Sequence, residues 1–493
     1  MAIAGIDIGT TSCKIAVYDE GGARFHAYRE YPALRSRSEH EVDPRAIWQS
    51  VKEIVREAAA AVKDIRGVGV SSFGESFTLL DERDQPLMDA MLYTDPRGIA
   101  ECAEITETMG ERRVAEITGL TPHAMYSLPK LIWVRRRRPE VWAKVRAILL
   151  MQDYVVFRLT GVRQIDRSLA SRTMALDIRT MDWSREMLDC AGIDPALLSR
   201  PVPSGTVAGK VRADLRAELG LPEDAVVVSC CHDQVAAAVG SGVFSPGVAV
   251  DGAGTTQCVT PVFPGIVNPG VMYGGGYAMV PFALEGLYAT YAFFFTGGAL
   301  VKWFVDHLAG NARAEAAEKG ESVYQALERG MGEGPTGIYV LPHFAGAGTP
   351  YMDPGAKGVI SGLTIEHSLS DVYKAVLEGV AYEMRVNLEK LREAGIAITR
   401  LHATGGGARS AKWLQIKADV LGLPIVSLGD SEAGILGSIL MTGVACGAFE
   451  NLARGAAALV RTEGVYEPEP VRRAAYDECF RHYRALYGAN RNL

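Results

Sequence analysis

Apolar residues at Ile3, Ile6 and Ile8, a polar turn Gly9-Thr10-Thr11-Ser12, and a second apolar run Ile15-Ala16-Val17 predict two strands joined by a tight glycine turn. Asp43 followed by Pro44, then Ile47, Trp48, Val51, Ile54 and Val55 at helical spacing, predicts a helix from Asp43 to about Val62. Gly67 to Phe73 reads as a buried strand that ends at Gly74-Glu75-Ser76. Val226 to Gly240 reads as an apolar strand, then His232-Asp233-Gln234, then an alanine-rich helix. Leu287 to Val305 contains Gly297, Gly298 and Lys302, which predicts a strand, a loop and the start of a helix rather than a membrane span. Asp371 to Ala394 predicts a long amphipathic helix closed by Gly395, and Leu401 to Thr404 a strand that runs into Gly405-Gly406-Gly407 before another helix. The outcome is an α/β protein.

The first turn has an echo. Gly9-Thr10-Thr11-Ser12-Cys13 returns as Gly254-Thr255-Thr256-Gln257-Cys258, with apolar residues on both sides and an aspartate just before it. The register is offset by one: Asp7 precedes its glycine by two residues and Asp251 by three. Two matching turns, one opening each half, predict two similar domains, residues 1–246 and 247–493, facing each other across a nucleotide.

Composition narrows the field. With 493 residues, 48% hydrophobic and 22% charged, the chain is long enough for two or three full cores. A net charge of −7 argues against a general nucleic-acid binder. The basic run Arg135 to Arg138, followed by Pro139, predicts the solvated end of a helix. The 8 cysteines include no C-x-x-C pair and no Cys/His metal spacing, so they are expected reduced and mostly buried. The first strand starts directly after the N-terminus, so no signal peptide and no membrane segment are expected, and the expected location is cytoplasmic. A homodimer is compatible with the chain and not specified by it.

The candidate chemistry lies at the turns and strand ends. Asp7, at the end of the first strand, is placed to hold Mg²⁺ directly or through water. The amides and hydroxyls of Thr10, Thr11 and Ser12 suit phosphate oxygens, and Lys14 adds a cation. Gly254, Thr255 and Thr256 are expected to do the same from the second half. Thr296-Gly297-Gly298-Ala299 before a helix is expected to present free N–H groups of Gly297 and Gly298 to an anion. Gly406, Gly407 and Ala408 lie where a flat base or ribose can rest on the backbone. Glu75 is a candidate acceptor for substrate hydroxyls, at a strand end where α/β folds bind ligands. Tyr93 suits a sugar face, Asp95 suits hydroxyls, and Arg97 could orient Asp95. Asp233, at a strand–helix junction, is placed to take a proton from a hydroxyl or to cap the helix, or both. The absence of G-x-x-x-x-G-K-[ST] and H-R-D strings removes P-loop and protein-kinase readings.

The paired turns resemble the actin-like ATPase superfamily, which includes hexokinase and the Hsp70 chaperones and in which two related ribonuclease H-like domains enclose ATP in a cleft. Within it, the chain resembles the FGGY carbohydrate kinases. Met125, Ser127, Lys130, Leu131 and Trp133 fit the family's first signature, with Arg137 departing at its final position. Gly358, Ile360, Gly362, Leu363, Asp371, Val372, Ala375, Val376, Leu377 and Glu378 match the second throughout. Asp166 to Asp177 looks like a structural stretch of the family.

The resemblance implies ATP and Mg²⁺ as cofactors and Asp233 as catalytic base, also near the metal, with Gln234 beside it on the substrate and Tyr126 in the sugar site. The family motif usually has Gly where this chain has His232. Xylulokinases usually carry Met-His where this chain has Gly74-Glu75, glycerol kinases carry Arg-Glu, and both have Trp where Tyr93 stands. Loss of the arginine leaves a roomier, less cationic pocket, and Glu75 is expected to repel an anionic sugar acid. The expected substrate is therefore a small neutral sugar or polyol, a ketopentose such as xylulose slightly ahead of a glycerol- or erythritol-type polyol or another ketose. The alternative of another class is an actin-like ATPase or chaperone module that transfers nothing to a sugar.

Overall fold

The computed structural model describes residues 1–429 and 432–491. In the N-terminal half, β1 (Ala2–Ile8), β2 (Ser12–Asp19), β3 (Gly22–Glu30), β4 (Ile65–Ser72), β5 (Thr206–Lys210) and β6 (Val226–His232) form one sheet in the order β5-β6-β4-β1-β2-β3. In the C-terminal half, β7 (Val248–Ala253), β8 (Gln257–Pro264), β9 (Val280–Pro281), β10 (Leu287–Ala289), β11 (Ala292–Phe294), β12 (Arg400–Thr404), β13 (Ile425–Leu428) and β14 (Thr462–Tyr466) form a second. Its path is β9-β10-β8-β7-β12-β13-β14, with β11 also against β8. The kernels match. β1–β2 is an antiparallel hairpin flanked by parallel β4 and then β6; β7–β8 is an antiparallel hairpin flanked by parallel β12 and then β13.

The principal helices are α1 (Pro44–Ala61), α2 (Ser127–Arg137), α3 (Asp233–Gly240), α4 (Gly298–His307), α5 (Val323–Arg329), α6 (Leu369–Glu393), α7 (Ala411–Leu421) and α8 (Ala433–Ala445). α1 starts where its sequence predicts, with the Asp43 side chain accepting from the Arg45 amide and Pro44 in the first turn, where a missing N–H costs nothing. It buries Ile47, Trp48, Val51, Ile54 and Val55 on the N-terminal sheet. α6 begins two residues before the expected Asp371, because Ser368 and Asp371 form a reciprocal capping box. Arg135, Arg136 and Arg137 make up the last turn of α2, and Arg136 pairs with Glu104 at 2.6 Å.

The two halves are joined through α3 and α8. A Cβ on Gly240 would run into the Ala433 carbonyl oxygen, and one on Gly437 into that of Ala236, so these glycines let the two helix backbones touch. α8 also lies on the face of β1, where Ile435 and Ile439 form a small core with Ile3 and Ala16. The cysteines are free, four buried and four half-buried. No described helix is long and apolar enough to cross a membrane.

Candidate active site

The first hairpin turn is closed by the Gly9 amide donating to the Ser12 carbonyl at 2.8 Å. Tyr31, buried behind the turn, donates its hydroxyl to the carbonyls of Gly9 and Ser12, and its amide to that of Thr11. The turn is thus braced from outside, with Thr11 exposed and Thr10 and Ser12 half-buried. Tyr31 carries no local signal that sequence reading would have picked out. Lys14 is engaged by the other half of the chain: its Nζ donates to Glu432 at 3.0 and 3.2 Å.

The second turn is closed by the Gly254 amide donating to Thr256 at 3.1 Å, and Gly254, Thr255 and Thr256 are exposed. Here one expectation is corrected. The amides of Gly297, Gly298 and Ala299 are not offered to an anion: they donate to the carbonyls of Thr255 (3.2 Å), Gly254 (2.8 Å) and Thr255 (3.0 Å). The glycines serve close approach, since a Cβ on Gly298 would sit 2.5 Å from the Gly254 oxygen. The start of α4 therefore holds the hairpin in place.

Between hairpin and helices lies a cavity of about 1070 Å³, bordered by Gly254 and Thr255, by Gly298, Lys302 and Trp303 of α4, by Tyr324 and Gln325 of α5, and by Gly406, Gly407, Arg409 and Ser410. It is large enough for a nucleotide. Gly407 is required there, because a Cβ would lie 2.6 Å from the Trp413 ring and 2.7 Å from Ala253. Ser410 donates to Glu328 at 2.6 Å and ties the glycine turn to α5. Ala408 is buried beneath the turn, where its carbonyl accepts from Ser427, and does not border the cavity.

Beyond the end of β4, Glu75 is a non-glycine residue at φ 68°, in the sparsely populated left-handed region, and only 4% exposed. Such backbone persists where the surroundings fix it, and here Ser127 donates to the Glu75 carbonyl at 2.6 Å. The Glu75 carboxylate pairs with Arg172, whose Nε donates to it at 2.6 Å. Arg172 lies in the stretch that resembles a structural segment, and its role here is a finding of the fold. Its guanidinium lies over the rings of Tyr126 (5.1 Å) and Tyr291 (5.8 Å). A Cβ on Gly74 would meet the Arg172 Cγ at 2.9 Å. Two expectations change: the pocket is not stripped of cationic character at Gly74, because Arg172 lies across it, and Glu75 does not stand as an unpaired charge.

Tyr93 is 43% exposed at a turn and Tyr126 is buried. Asp95, expected to meet hydroxyls, has both oxygens in use. Oδ1 accepts from the Arg97 amide (2.9 Å) and Nε (2.8 Å), and Oδ2 from the His40 amide (2.8 Å) and Arg97 Nη2 (2.6 Å). Burial works to raise this carboxyl, but those bonds outweigh it and hold it below the usual carboxylate range. Asp95 thus braces the wall. Lys130 does similar work: buried, and pushed down to about 8 by burial, it donates to the carbonyls of Ala124 (2.8 Å) and Met125 (3.0 Å), just before Tyr126.

Asp233 opens α3, with Gln234 exposed beside it. Its carboxyl is pushed up to about 7, by burial first, then by the charges of Asp7 and Glu75. His232 Nε2 lies 3.2 Å from Asp233 Oδ1 but off the hydrogen-bond direction, so this buried oxygen has no hydrogen-bond partner. Asp7 is pushed up to about 6, again by burial first, against the nearby Lys14. Two carboxylates that repel one another in a cleft fit a divalent cation. Among the described residues no group of three or more His, Cys, Asp or Glu forms a self-sufficient metal cage. A pair of carboxylates is a donor set that Mg²⁺ accepts, since it takes one or two carboxylates and completes its shell with phosphate oxygens and water.

Two domain models of the FGGY family of carbohydrate kinases match, the N-terminal domain over residues 2–240 and the C-terminal domain over residues 253–446. The xylulose kinase of Bacillus subtilis (strain 168) is 26% identical over 497 residues, 100% of this chain and 97% of that protein. The glycerol kinase of Polaromonas naphthalenivorans (strain CJ2) is 30% identical over 474 residues, 91% of each. The solved structure of a xyloylose kinase from Brucella ovis has a TM-score of 0.88 at 28% identity, covering 99% of both chains. Family matches over both halves, on a repeated hairpin kernel with a nucleotide-sized cavity beside one hairpin and clustered carboxylates beside the other, lead to one assignment: the chain belongs to the FGGY family of carbohydrate kinases.

Proposed function

We propose that this kinase moves the γ-phosphoryl group of ATP to a hydroxyl of a small neutral ketose, a ketopentose such as xylulose ahead of a glycerol-type polyol, with Asp233 as general base. The observation that carries the reading is the Asp233 carboxylate at the start of α3, pushed up to about 7 among Asp7, Glu75 and Arg172, with no donor in line with its Oδ1. The substrate hydroxyl meets this carboxylate: its proton passes to Asp233, its oxygen bonds to the γ-phosphorus, and the bond to the ADP oxygen breaks.

The amides and hydroxyls of Thr10, Thr11 and Ser12 and of Gly254, Thr255 and Thr256 hold the phosphates, with Lys14 as a nearby cation. Gly406, Gly407 and the start of α4 bound the adenosine. Asp7, with Asp233 beside it, would hold Mg²⁺, which neutralises charge on the β- and γ-phosphates when bound. Glu75 offers an acceptor and Arg172 a donor on one wall, with Tyr93 and Tyr126 as apolar faces and Gln234 at the rim. A guanidinium donor beside a carboxylate acceptor suits a carbonyl next to a hydroxyl, which supports a ketose over an alditol. The paired charge on Arg172 leaves no spare cation for an aldonate.

The test is ADP release over pentuloses, hexuloses, alditols and aldonates, with wild type and Asp233→Asn. A ketopentose is expected to give the highest kcat/KM. Asp233→Asn is expected to lose about 10²- to 10⁴-fold in kcat while still binding ATP. Turnover retained in Asp233→Asn removes the base role, and an alditol as best acceptor moves the substrate to a polyol.

A further inference from the structure

His232 stands where the family's motif usually has glycine, and its ring is buried against the candidate base. Its backbone amide donates to Ser168 at 2.9 Å, which fixes the end of β6. Its ring bridges two groups. Nε2 lies 3.2 Å from Asp233 Oδ1, and Nδ1 lies 3.2 Å from the hydroxyl of Tyr291. The His232 and Tyr291 rings are 5.9 Å apart at 56°. Tyr291 belongs to the C-terminal half, between β10 and β11, and reaches across to the acceptor wall, where its ring also lies by Arg172.

The chemistry of the three groups sets the direction of the hydrogen bonds. Burial pushes the Tyr291 phenol well above its usual value, so it keeps its proton and can donate. Nε2 faces a carboxylate oxygen, which accepts, and Nδ1 faces a phenol, which can donate. A ring whose Nδ1 accepts from the phenol carries its hydrogen on Nε2, the nitrogen that faces Asp233.

We propose that Tyr291 and His232 are positioning residues for Asp233: the phenol selects the ring tautomer, and the ring N–H holds Oδ1 so that the other carboxylate oxygen meets the substrate hydroxyl. The contact is off-line at 3.2 Å, and a small turn of the ring brings it into line. Because Tyr291 comes from the other half, the base is oriented only when both halves frame the acceptor site. The inference rests on Asp233 being the base.

The test uses the full chain, ATP-Mg²⁺ and the best acceptor of the sugar panel. Tyr291→Phe, which keeps the ring over Arg172, is expected to lower kcat about tenfold, with sugar KM within about twofold and an unchanged melting temperature; His232→Ala is expected to lose up to about a hundredfold. The double variant is expected to be no worse than His232→Ala alone, because the phenol acts through the ring. His232→Gln, with an amide N–H that can reach Asp233, is expected to recover part of the loss. Wild-type kcat in Tyr291→Phe, multiplying losses in the double variant, or equal losses in the Ala and Gln variants would each overturn the proposal. Asp233→Asn separates the two readings: if it is impaired while Tyr291→Phe is not, the positioning falls and the base stands; if Asp233→Asn is fully active, both fall.

Discussion

Each half of the chain carries an aspartate just before its glycine turn, and the fold puts the two to opposite uses. Asp7 accepts no hydrogen bond on its carboxylate among the described residues, and its carboxyl is pushed up to about 6. Asp251 is fully buried: Lys417 Nζ donates to its Oδ2 at 2.6 Å, and Gln257 donates to its Oδ1. Lys417 in turn lies 4.6 Å over the Trp413 ring. The cause is parity. Side chains alternate across a strand, so a shift of one residue relative to the turn moves the side chain to the opposite face. Asp7 shares its face of β1 with Ile3 and Gly5, which meet α8. Asp251 shares its face of β7 with Ala249 and Ala253, toward α6 and α7, and Gly252 takes the place that corresponds to Asp7. Two hairpins of the same design thus yield one open carboxylate and one closed ion pair.

The largest expected effect breaks this comparison directly. If Asp7 acts at the phosphates as proposed, Asp7→Asn is expected to lower kcat by about 10²-fold or more with little change in melting temperature, because that charge is lost and no buried partner is stranded. Asp251→Asn is expected to do the reverse. It leaves the Lys417 ammonium buried without its counter-charge, at a cost of about 3–5 kcal/mol, while kcat per folded molecule stays within about twofold. Parallel melting and turnover measurements decide it. Equal kinetic losses in the two variants would mean that the second aspartate also reaches the phosphates.

The next effect concerns the acceptor wall. Glu75→Gln strands the Arg172 guanidinium and removes the carboxylate acceptor, so the sugar KM is expected to rise about tenfold with a smaller change in kcat. An unchanged KM would place the pair outside the sugar's reach.

The parity offset was visible in the sequence, as two residues against three, while its meaning needed the sheets. Local chemistry was legible throughout: Asp43 and Pro44 start a helix, Gly405 to Gly407 end a strand beside a cavity, and Asp233 opens a helix at a strand end. The partners of those groups were not. Arg172 reaches Glu75 across 97 positions and Lys417 reaches Asp251 across 166. Tyr291 reaches His232 across 59. No periodicity marks such pairs, because they are made by packing between elements. The Gly297-Gly298 step failed for a related reason: the amides that look free in sequence are taken up by the hairpin carbonyls.

A smaller effect follows from titration. Asp233 is held near 7 and Asp7 near 6 in the folded chain, against 3.8 as the reference value of each. In the proposed role of base Asp233 works ionised, so kcat/KM is expected to fall as the pH drops below neutrality. Stability has the opposite slope. The folded chain holds these protons to higher pH than the unfolded chain does, so the ligand-free protein loses stability as pH rises from about 4 to 7. Asp233→Asn removes one such group. Since the Asp233 side chain is a third exposed and partly screened, a gain of only a few degrees in Tm at pH 8 is expected, narrowing toward pH 4. A variant that melts lower than wild type at pH 8 would show that the carboxylate is satisfied in the folded chain.

The smallest effect compares the lysines of the two hairpin regions. Lys417 is fully buried with Asp251, whereas Lys14 and Glu432 are 32% and 42% exposed at their side chains. An exposed pair of this kind contributes about 0–1 kcal/mol, since water and salt screen it and both side chains lose freedom in forming it. Lys14→Gln should therefore leave the melting temperature nearly unchanged. In the proposed phosphate role, a cation beside Asp7 and the first turn is expected to lower the ATP KM by a few-fold, and that benefit is expected to shrink as salt rises. Titrating ATP KM against ionic strength for wild type and Lys14→Gln separates the roles. Converging curves at high salt identify Lys14 as a screened phosphate cation, and curves that coincide at every salt concentration reduce it to the partner of Glu432.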